Sequence, residues 1–125
     1  MPYKILIFVS RKAGLSHSAF KNHYETSHIP LLQHFAGNLF PKHHKRYYLQ
    51  FSADSQPTVL QGNKAFFDFD AVAEVSFNDE PGYKAFIDVL STEEASKTLV
   101  EDEEKFSGRE KIKIVVIGDI QETKT

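Results

Sequence analysis

The chain has 125 residues, enough for one domain with a buried core, and its formal net charge is −2. It contains no cysteine, which excludes disulfides, thiolate metal sites and cysteine nucleophiles, and its charge argues against a general nucleic-acid or anionic-membrane surface. Eleven phenylalanines and five tyrosines suit a protein that hosts a flat apolar ligand or forms a large apolar interface.

The first third of the chain predicts a strand followed by an amphipathic helix. The apolar strand Tyr3–Val9 is too short to span a bilayer and lacks a signal-peptide cleavage site, so we expect a cytoplasmic protein. Ser16 is the expected N-cap of the helix. Pro30 should kink or restart the helix near His28, and Gly37 should end it. The apolar stripe of this helix consists of Phe20, Tyr24, Leu31 and Phe35.

The rest of the chain predicts three strands and two helices. Residues 41–51 form a strand candidate in which alternation places His44, Arg46 and Tyr48 on one face. A polar loop follows over residues 52–64, a length typical of a lid or an interface arm. We then expect a strand over 66–77, a helix over 83–90, a helix that Ser91 caps and that ends at Phe106, and a strand over 111–117.

The resulting order, β-α-β-β-α-β, predicts an α+β fold. Two βαβ units of this kind form a ferredoxin-like domain, an antiparallel four-stranded sheet with its helices on one face. A second copy of the chain is the obvious cover for the other face, so we expect a homodimer built sheet to sheet. We expect a single domain over residues 1–125, with a core of about residues 3–118 and a polar tail at 119–125.

Short motifs spread over residues 5–118 point to a family. They are Leu15-Ser16, Phe20, His23-Tyr24-Glu25, His28, Pro30-Leu31, Asp68, Asp70, Ala73-Glu74, Phe77 and Asp102-Glu103-Glu104-Lys105-Phe106. With these motifs the chain resembles the EthD-domain proteins, and the strand pattern His44-x-Arg46-x-Tyr48 is similar to their fungal branch. The resemblance implies a dimeric α+β barrel and a tailoring enzyme of aromatic polyketides, several of which are described as dehydratases.

Tyr24 and His28 are the leading candidates for catalysis. They are one helical turn apart and project from one face of the predicted helix. The pKa of a histidine suits His28 to proton transfer, whereas the alternative is a partly buried ring bonded to a backbone carbonyl. Tyr24 suits an acid or a hydrogen-bond donor to a phenolate or enolate oxygen, and otherwise it is a core tyrosine.

Four further residues are expected to bind the substrate. His44 and Tyr48 share a strand face and could donate from the sheet side, although such residues also line dimer seams. Asp70 and Glu74 share a face of the next strand, where one could orient a histidine or carry a proton. An ion pair with lysine or arginine is the alternative for both carboxylates.

Spacing argues against other kinds of site. On an α-helix His23 and His28 point roughly 140° apart, so they do not form a metal pair. We expect His17 and His23 to be solvent-side or packing residues, and residues 101–104 to be a solvated helix face. The sequence has no glycine-rich phosphate loop, dinucleotide fingerprint or serine elbow, so we expect neither a metal nor a cofactor.

The expected function is therefore that of a homodimeric, cofactor-free lyase. It would eliminate water from an aromatic polyketide intermediate of secondary metabolism by acid–base chemistry, with no nucleic-acid or membrane partner. One alternative is a cofactor-free oxygenase, cyclase or isomerase that acts on the same class of substrate. Another is a dimer of the ligand-binding or stress type that has no turnover.

Overall fold

A four-stranded antiparallel sheet carries the helices on one face in the computed structural model, which describes residues 2–53 and 55–125. The strands are β1 (Tyr3–Val9), β2 (His43–Tyr48), β3 (Ala71–Phe77) and β4 (Lys113–Ile117), and their spatial order is β2-β3-β1-β4. The helices are α1 (His17–His23), α2 (Ile29–Ala36), α3 (Glu80–Leu90) and α4 (Glu93–Phe106). This arrangement confirms the predicted α+β, ferredoxin-like fold.

The alternation of side chains along β3 separates the core from the outer face of the sheet. Ala71, Ala73 and Val75 are buried against the helices, while Glu74 points to the other side and pairs with Lys4. The two alanines allow α1 and α2 to approach the sheet closely. Leu99 and Phe106 belong to the apolar stripe of α4, and both side chains are buried.

Both predicted ends of the first helical segment are confirmed. The Ser16 hydroxyl caps α1 by accepting a hydrogen bond from the backbone N–H of Ala19 at 3.1 Å. Gly37 follows the last residue of α2 with a φ of 55°, which lies in the left-handed region that favours glycine.

A π-helical turn over Tyr24–His28 joins α1 to α2. The backbone N–H of Ile29 donates to the carbonyl of Tyr24, five residues earlier. Pro30 has no N–H and sits in the first turn of α2, where none is required, so the helix restarts there as predicted. The wider turn brings residues five apart, His23 and His28, towards the same side. The angle of roughly 140° expected for a regular α-helix therefore does not hold here.

Three boundaries differ from those predicted. The strand expected over 66–77 begins only at Ala71, because the backbone at Lys64–Phe66 coils into a 3₁₀ turn that Asn63 caps. The strand expected over 41–51 is limited to His43–Tyr48. Ser91 ends α3 by donating to the carbonyl of Ile87, and Thr92 is the residue that precedes α4.

The segment expected to be a loop, residues 52–64, has no helix or strand among its described residues before Lys64, where the 3₁₀ turn begins. Its Asp54 lies outside them. Phe51 and Pro57 form an isolated bridge at the base of the loop. Within residues 2–53 and 55–125, every helix is too short or too polar to cross a membrane.

Candidate active site

A largely apolar cavity of about 230 Å³ lies between the sheet and the helices. Its apolar lining includes Ile5, Ile7, Val9, Val75, Leu32, Phe86 and Leu90. Its lining residues with polar side-chain groups are Tyr24, His28, His44, Tyr83, Glu103 and Ser107. A concave apolar space with a few convergent polar groups is the usual form of a small-molecule site.

His28 meets this cavity with its ring held by a buried carboxylate. Its Nδ1 lies 3.0 Å from Oδ2 of Asp102 on α4, and the two residues are 8% and 5% exposed. Since an ionised carboxylate only accepts, His28 donates through Nδ1–H, and Nε2 then carries the lone pair. Nε2 has no hydrogen bond to any described residue. Burial lowers the pKa of His28 below its usual value, so the ring is neutral at pH 7 and equipped to accept a proton.

Asp102 accepts hydrogen bonds from three donors, two in the π-helical turn and one at the end of α1. His28 is joined by Ser27 Oγ at 2.8 Å and by His23 Nε2 at 2.9 Å. Burial opposes the charge of this carboxylate, yet the bonds from Ser27, His28 and His23 together hold the pKa of Asp102 below its usual value. Asp102 is therefore a fixed negative charge that orients His28.

These contacts correct two expectations from the sequence. The run 101–104 is not uniformly solvated, since Asp102 is buried and Glu103 faces the cavity. His23 packs on Phe106, with ring centroids 4.9 Å apart, and it also holds the same carboxylate as His28. The π-helical turn is the physical reason that both histidines reach Asp102.

His44 carries a hydrogen on its Nε2, whereas Nε2 of His28 carries a lone pair. Nη1 of Arg46 donates to its Nδ1 at 2.8 Å, so His44 must carry its hydrogen on Nε2. Glu25 holds the guanidinium by two bonds of 2.6 and 2.9 Å. Burial, followed by the charge of Arg46, lowers the pKa of His44 to about 4. A neutral ring with a fixed Nε2–H is a hydrogen-bond donor.

Tyr24 completes the polar end of the cavity. It is 4% exposed, and its ring packs edge-on against His28 with centroids 6.1 Å apart. Burial raises the pKa of the phenol well above its usual value, so the hydroxyl stays protonated. That hydroxyl makes no hydrogen bond to a described residue, which leaves it free to donate to a ligand oxygen.

Three residues predicted to bind the substrate lie away from this cavity. Tyr48 donates to Oε2 of Glu25 at 2.5 Å, so it supports the Arg46 ion pair from outside the cavity lining. Asp70 precedes β3 and binds Arg11 and His17 on another part of the surface. Glu74 is on the outer face of the sheet.

The carboxylates Asp70 and Glu74 therefore do not share a site. Their predicted common face assumed that β3 already begins at residue 66, whereas Asp70 lies in a bend before the strand. Both form ion pairs, Asp70 with Arg11 and Glu74 with Lys4, which is the alternative that the sequence left open.

The sequence reasoning missed three residues at the cavity or behind it: Asp102, Glu103 and Ser107. One signal for Asp102 was available, because position 102 falls on the same helical stripe as the apolar Ala95, Leu99 and Phe106. Among residues 2–53 and 55–125, no group of three histidine, aspartate or glutamate side chains is arranged to hold a metal ion.

Comparisons with known proteins agree with this architecture. The family model of the EthD domain matches residues 12–110. A search of curated proteins found no match.

Solved structures resemble the whole chain at low sequence identity. An ethyl tert-butyl ether D (EthD) family protein from Bacillus halodurans is 19% identical, with a TM-score of 0.56, over 94% of this chain and 99% of its own. An EthD-like protein from Ralstonia eutropha is 12% identical, with a TM-score of 0.55, over 93% and 87%. A dimeric ferredoxin-like protein of unknown function from Thermobifida fusca is 12% identical, with a TM-score of 0.53, over 94% and 90%. Identities this low establish the shared fold alone.

Proposed function

The chain belongs to the EthD domain family, and on that premise we propose that it is a cofactor-free dehydratase of an aromatic polyketide intermediate. The observation that carries the proposal is the His28–Asp102 pair at the wall of an apolar cavity. A histidine bonded to a backbone carbonyl would have favoured a plain packing role. A carboxylate partner instead stabilises the imidazolium that forms when His28 accepts a proton.

The proposed reaction is the loss of water from a β-hydroxy ketone. Nε2 of His28 removes a proton from the carbon beside the carbonyl, and the electron pair of that C–H bond moves into an enolate. The hydroxyl of Tyr24 and the Nε2–H of His44 donate to the enolate oxygen. The enolate then re-forms the carbonyl and expels the β-hydroxyl, which takes the proton back from His28 and leaves as water.

The lining of the cavity supports an aromatic substrate. Aliphatic walls from the sheet and α3 suit a flat ring system and exclude water from the polar end. Elimination that creates an aromatic ring is downhill, so acid–base catalysis is sufficient without a redox or electrophilic group. The proposed chemistry therefore needs no cofactor.

The test is turnover of a polycyclic β-hydroxy ketone and of an anthrone, each with and without oxygen. We expect loss of water from the hydroxy ketone at equal rates in air and under nitrogen. Oxygen uptake with the anthrone and no dehydration would replace the dehydratase by a cofactor-free oxygenase. Tight binding of both compounds without any turnover would identify a ligand-binding protein.

We also propose that the chain is a homodimer joined through the outer face of its sheet. Tyr47 on β2 and Val115 on β4 are about half exposed there, and Leu6, Phe8 and Val72 lie between them. An apolar strip across a whole sheet face is typical of an interface. Light scattering should give twice the mass of the chain, and Val115→Lys should give the mass of one chain. A wild-type monomer at micromolar concentration would disprove the dimer.

A further inference from the structure

We propose that Glu103 and Ser107 form a second polar subsite of the cavity, one that binds a hydroxyl group of the substrate beside the reacting group. The inference rests on the proposed function, because it concerns the same cavity. Neither residue takes part in the proton transfers assigned to Tyr24, His28 and His44. The subsite narrows the substrate class to aromatic ketones that carry an additional phenolic hydroxyl.

The hydroxyl of Ser107 is buried but has no hydrogen-bond partner among the described residues, whereas buried polar groups normally form hydrogen bonds. Ser107 is 5% exposed, lines the cavity and has a buried Oγ with no hydrogen bond in the described structure. An unpaired buried hydroxyl is unfavourable unless a ligand supplies the bond. Rotation about one side-chain bond redirects this oxygen towards a ligand without movement of the backbone.

Glu103 lies one helical turn before Ser107, and the two are joined by the backbone bond from the Ser107 N–H to the Glu103 carbonyl at 2.8 Å. Its side chain also lines the cavity. The nearest cation is Arg109, whose Nε lies 3.6 Å from Oε2, beyond hydrogen-bond distance. The Glu103 carboxylate therefore retains lone pairs for a donor.

The position of Glu103 places this subsite beside the proposed base. Burial lowers the pKa of His28 and the negative charge of Glu103 partly opposes that, and burial raises the pKa of Tyr24 with a small addition from Glu103, whereas the carboxylate that acts on His44 is Glu25. A ligand whose carbonyl meets Tyr24 and His44 would thus present a neighbouring substituent to Glu103. A carboxylate accepts and a serine hydroxyl both donates and accepts, so a phenolic O–H satisfies both residues.

Fluorescent phenols test the subsite without any need for turnover. The chain has no tryptophan, so the emission of a naphthol can be followed against a low protein background. The probes are 1-naphthol and 2-naphthol as single-hydroxyl references, with 1,8-, 2,3- and 2,6-dihydroxynaphthalene as diols. We expect at least one diol to bind about tenfold more tightly than its parent naphthol, as a hydrogen bond to a charged group provides.

Two variants and one control test whether Glu103 and Ser107 cause the tighter binding of the diol. Glu103→Gln and Ser107→Ala should each remove most of the diol preference and leave the affinity for the parent naphthol within about twofold. Glu104→Gln changes the adjacent, exposed carboxylate outside the cavity lining and should keep the preference. Ser107→Ala removes only an unpaired hydroxyl, so its melting temperature should equal or exceed that of the wild type.

The outcomes separate this inference from the proposed function. Equal affinity for diols and parent naphthols, or a diol preference that survives in either cavity variant, overturns the two-residue subsite. If either of these results is found and the protein still dehydrates the hydroxy ketone, the subsite is wrong and the proposed function stands. Failure of every naphthol to bind would overturn the subsite together with the cavity's role as an aromatic site.

Discussion

Two histidine–aspartate pairs in this chain have nearly the same local geometry and opposite surroundings. His28 lies 3.0 Å from Asp102, and His17 lies 3.0 Å from Asp70, in both cases from Nδ1 to Oδ2. Both aspartates are buried, at 5% and 8% exposure. His28 of the first pair lines the largely apolar cavity between sheet and helices, whereas His17 and Asp70 both line a different cavity beside Phe20 and Phe51.

The Asp70 pair is neutralised by a permanent cation. Arg11 donates to Asp70 from its backbone N–H at 2.9 Å and from Nε at 3.0 Å, so a permanent cation compensates the carboxylate. The ring of His17 stacks on Phe51 with centroids 3.7 Å apart, and its Nε2 is buried without a hydrogen bond to a described residue. This pair joins the start of α1 to the segment before β3.

The Asp102 pair has no permanent cation among residues 2–53 and 55–125. Its three donors there are a hydroxyl and two imidazoles, so the cations that pair with this carboxylate in the described structure are protonated histidines. A proton taken up by His28 therefore meets an uncompensated charge. The comparison indicates that a carboxylate without a fixed cation, beside a largely apolar cavity, distinguishes the candidate base from a structural histidine.

The largest expected difference in activity is between the variants that remove the histidine of each pair. His28→Ala should lower kcat for dehydration about 10²–10⁴-fold, since it removes the general base. His17→Ala is the matched control and should keep kcat within about twofold. Turnover of a polycyclic β-hydroxy ketone measures both variants. Wild-type turnover in a folded His28→Ala protein would contradict the assigned base.

Replacing the aspartate of each pair should lower activity in one case and stability in the other. Asp102→Asn should lower kcat about 10²-fold, because the amide no longer fixes the His28 tautomer or stabilises its imidazolium. Asp70→Asn should leave kcat nearly unchanged and lower the free energy of unfolding by about 1–3 kcal/mol, because Arg11 loses its ionic partner. Urea denaturation gives the second value. Equal losses of activity in the two variants would remove the distinction between the pairs.

The pH dependence should follow His28 alone. Its pKa is lowered by burial, so activity should be constant at neutral pH and fall only below about 6.5, the usual histidine value. The pKa of His44, about 4, keeps that ring neutral over this range. The negative charge of Asp102 raises the pKa of His28, so Asp102→Asn should move the acid limb to lower pH. Profiles of kcat/KM for the wild type, Asp102→Asn and His17→Ala test this, and a displaced limb in His17→Ala would contradict it.

The smallest expected effect on kcat comes from Ser27, the hydroxyl donor to Asp102. Ser27→Ala should lower kcat by a few-fold, because two of the three bonds that hold the carboxylate remain. Thr26→Ala is a neighbouring control, since its hydroxyl bonds only the carbonyl of Asn22. Matched kinetics of the two variants, with kcat and KM separated, measure the difference. An equal loss in Thr26→Ala would assign the effect to the helix as a whole.

Much of the fold follows from patterns that are local in the chain. The apolar run of β1, the Ser16 cap and the Gly37 stop all act within a few residues, and each prediction from them is confirmed in its main feature. The start of β3 was misjudged because the apolar run at 66–69 resembles a strand, whereas Asn63 caps a 3₁₀ turn there.

The candidate site was only partly predictable. Tyr24 and His28 stand out in the sequence as titratable rings on or beside the apolar stripe of a helix, and His44 as one on a strand face with Arg46 and Tyr48. All three line the cavity. The histidine spacing of five was judged with α-helical geometry, so the convergence of His23 and His28 was not foreseen. Asp102 was hidden in an acidic run because charge is normally solvated.

The sequence by itself determined the order of elements, the helix restart at Pro30 and the identity of the proton-carrying rings. Only the tertiary structure decided which of those rings is a candidate base. That decision depends on long-range contacts, since 74 residues separate His28 from Asp102 and 53 separate His17 from Asp70. Burial, the compensating cation and the apolar cavity are properties of the packed chain, which no local pattern records.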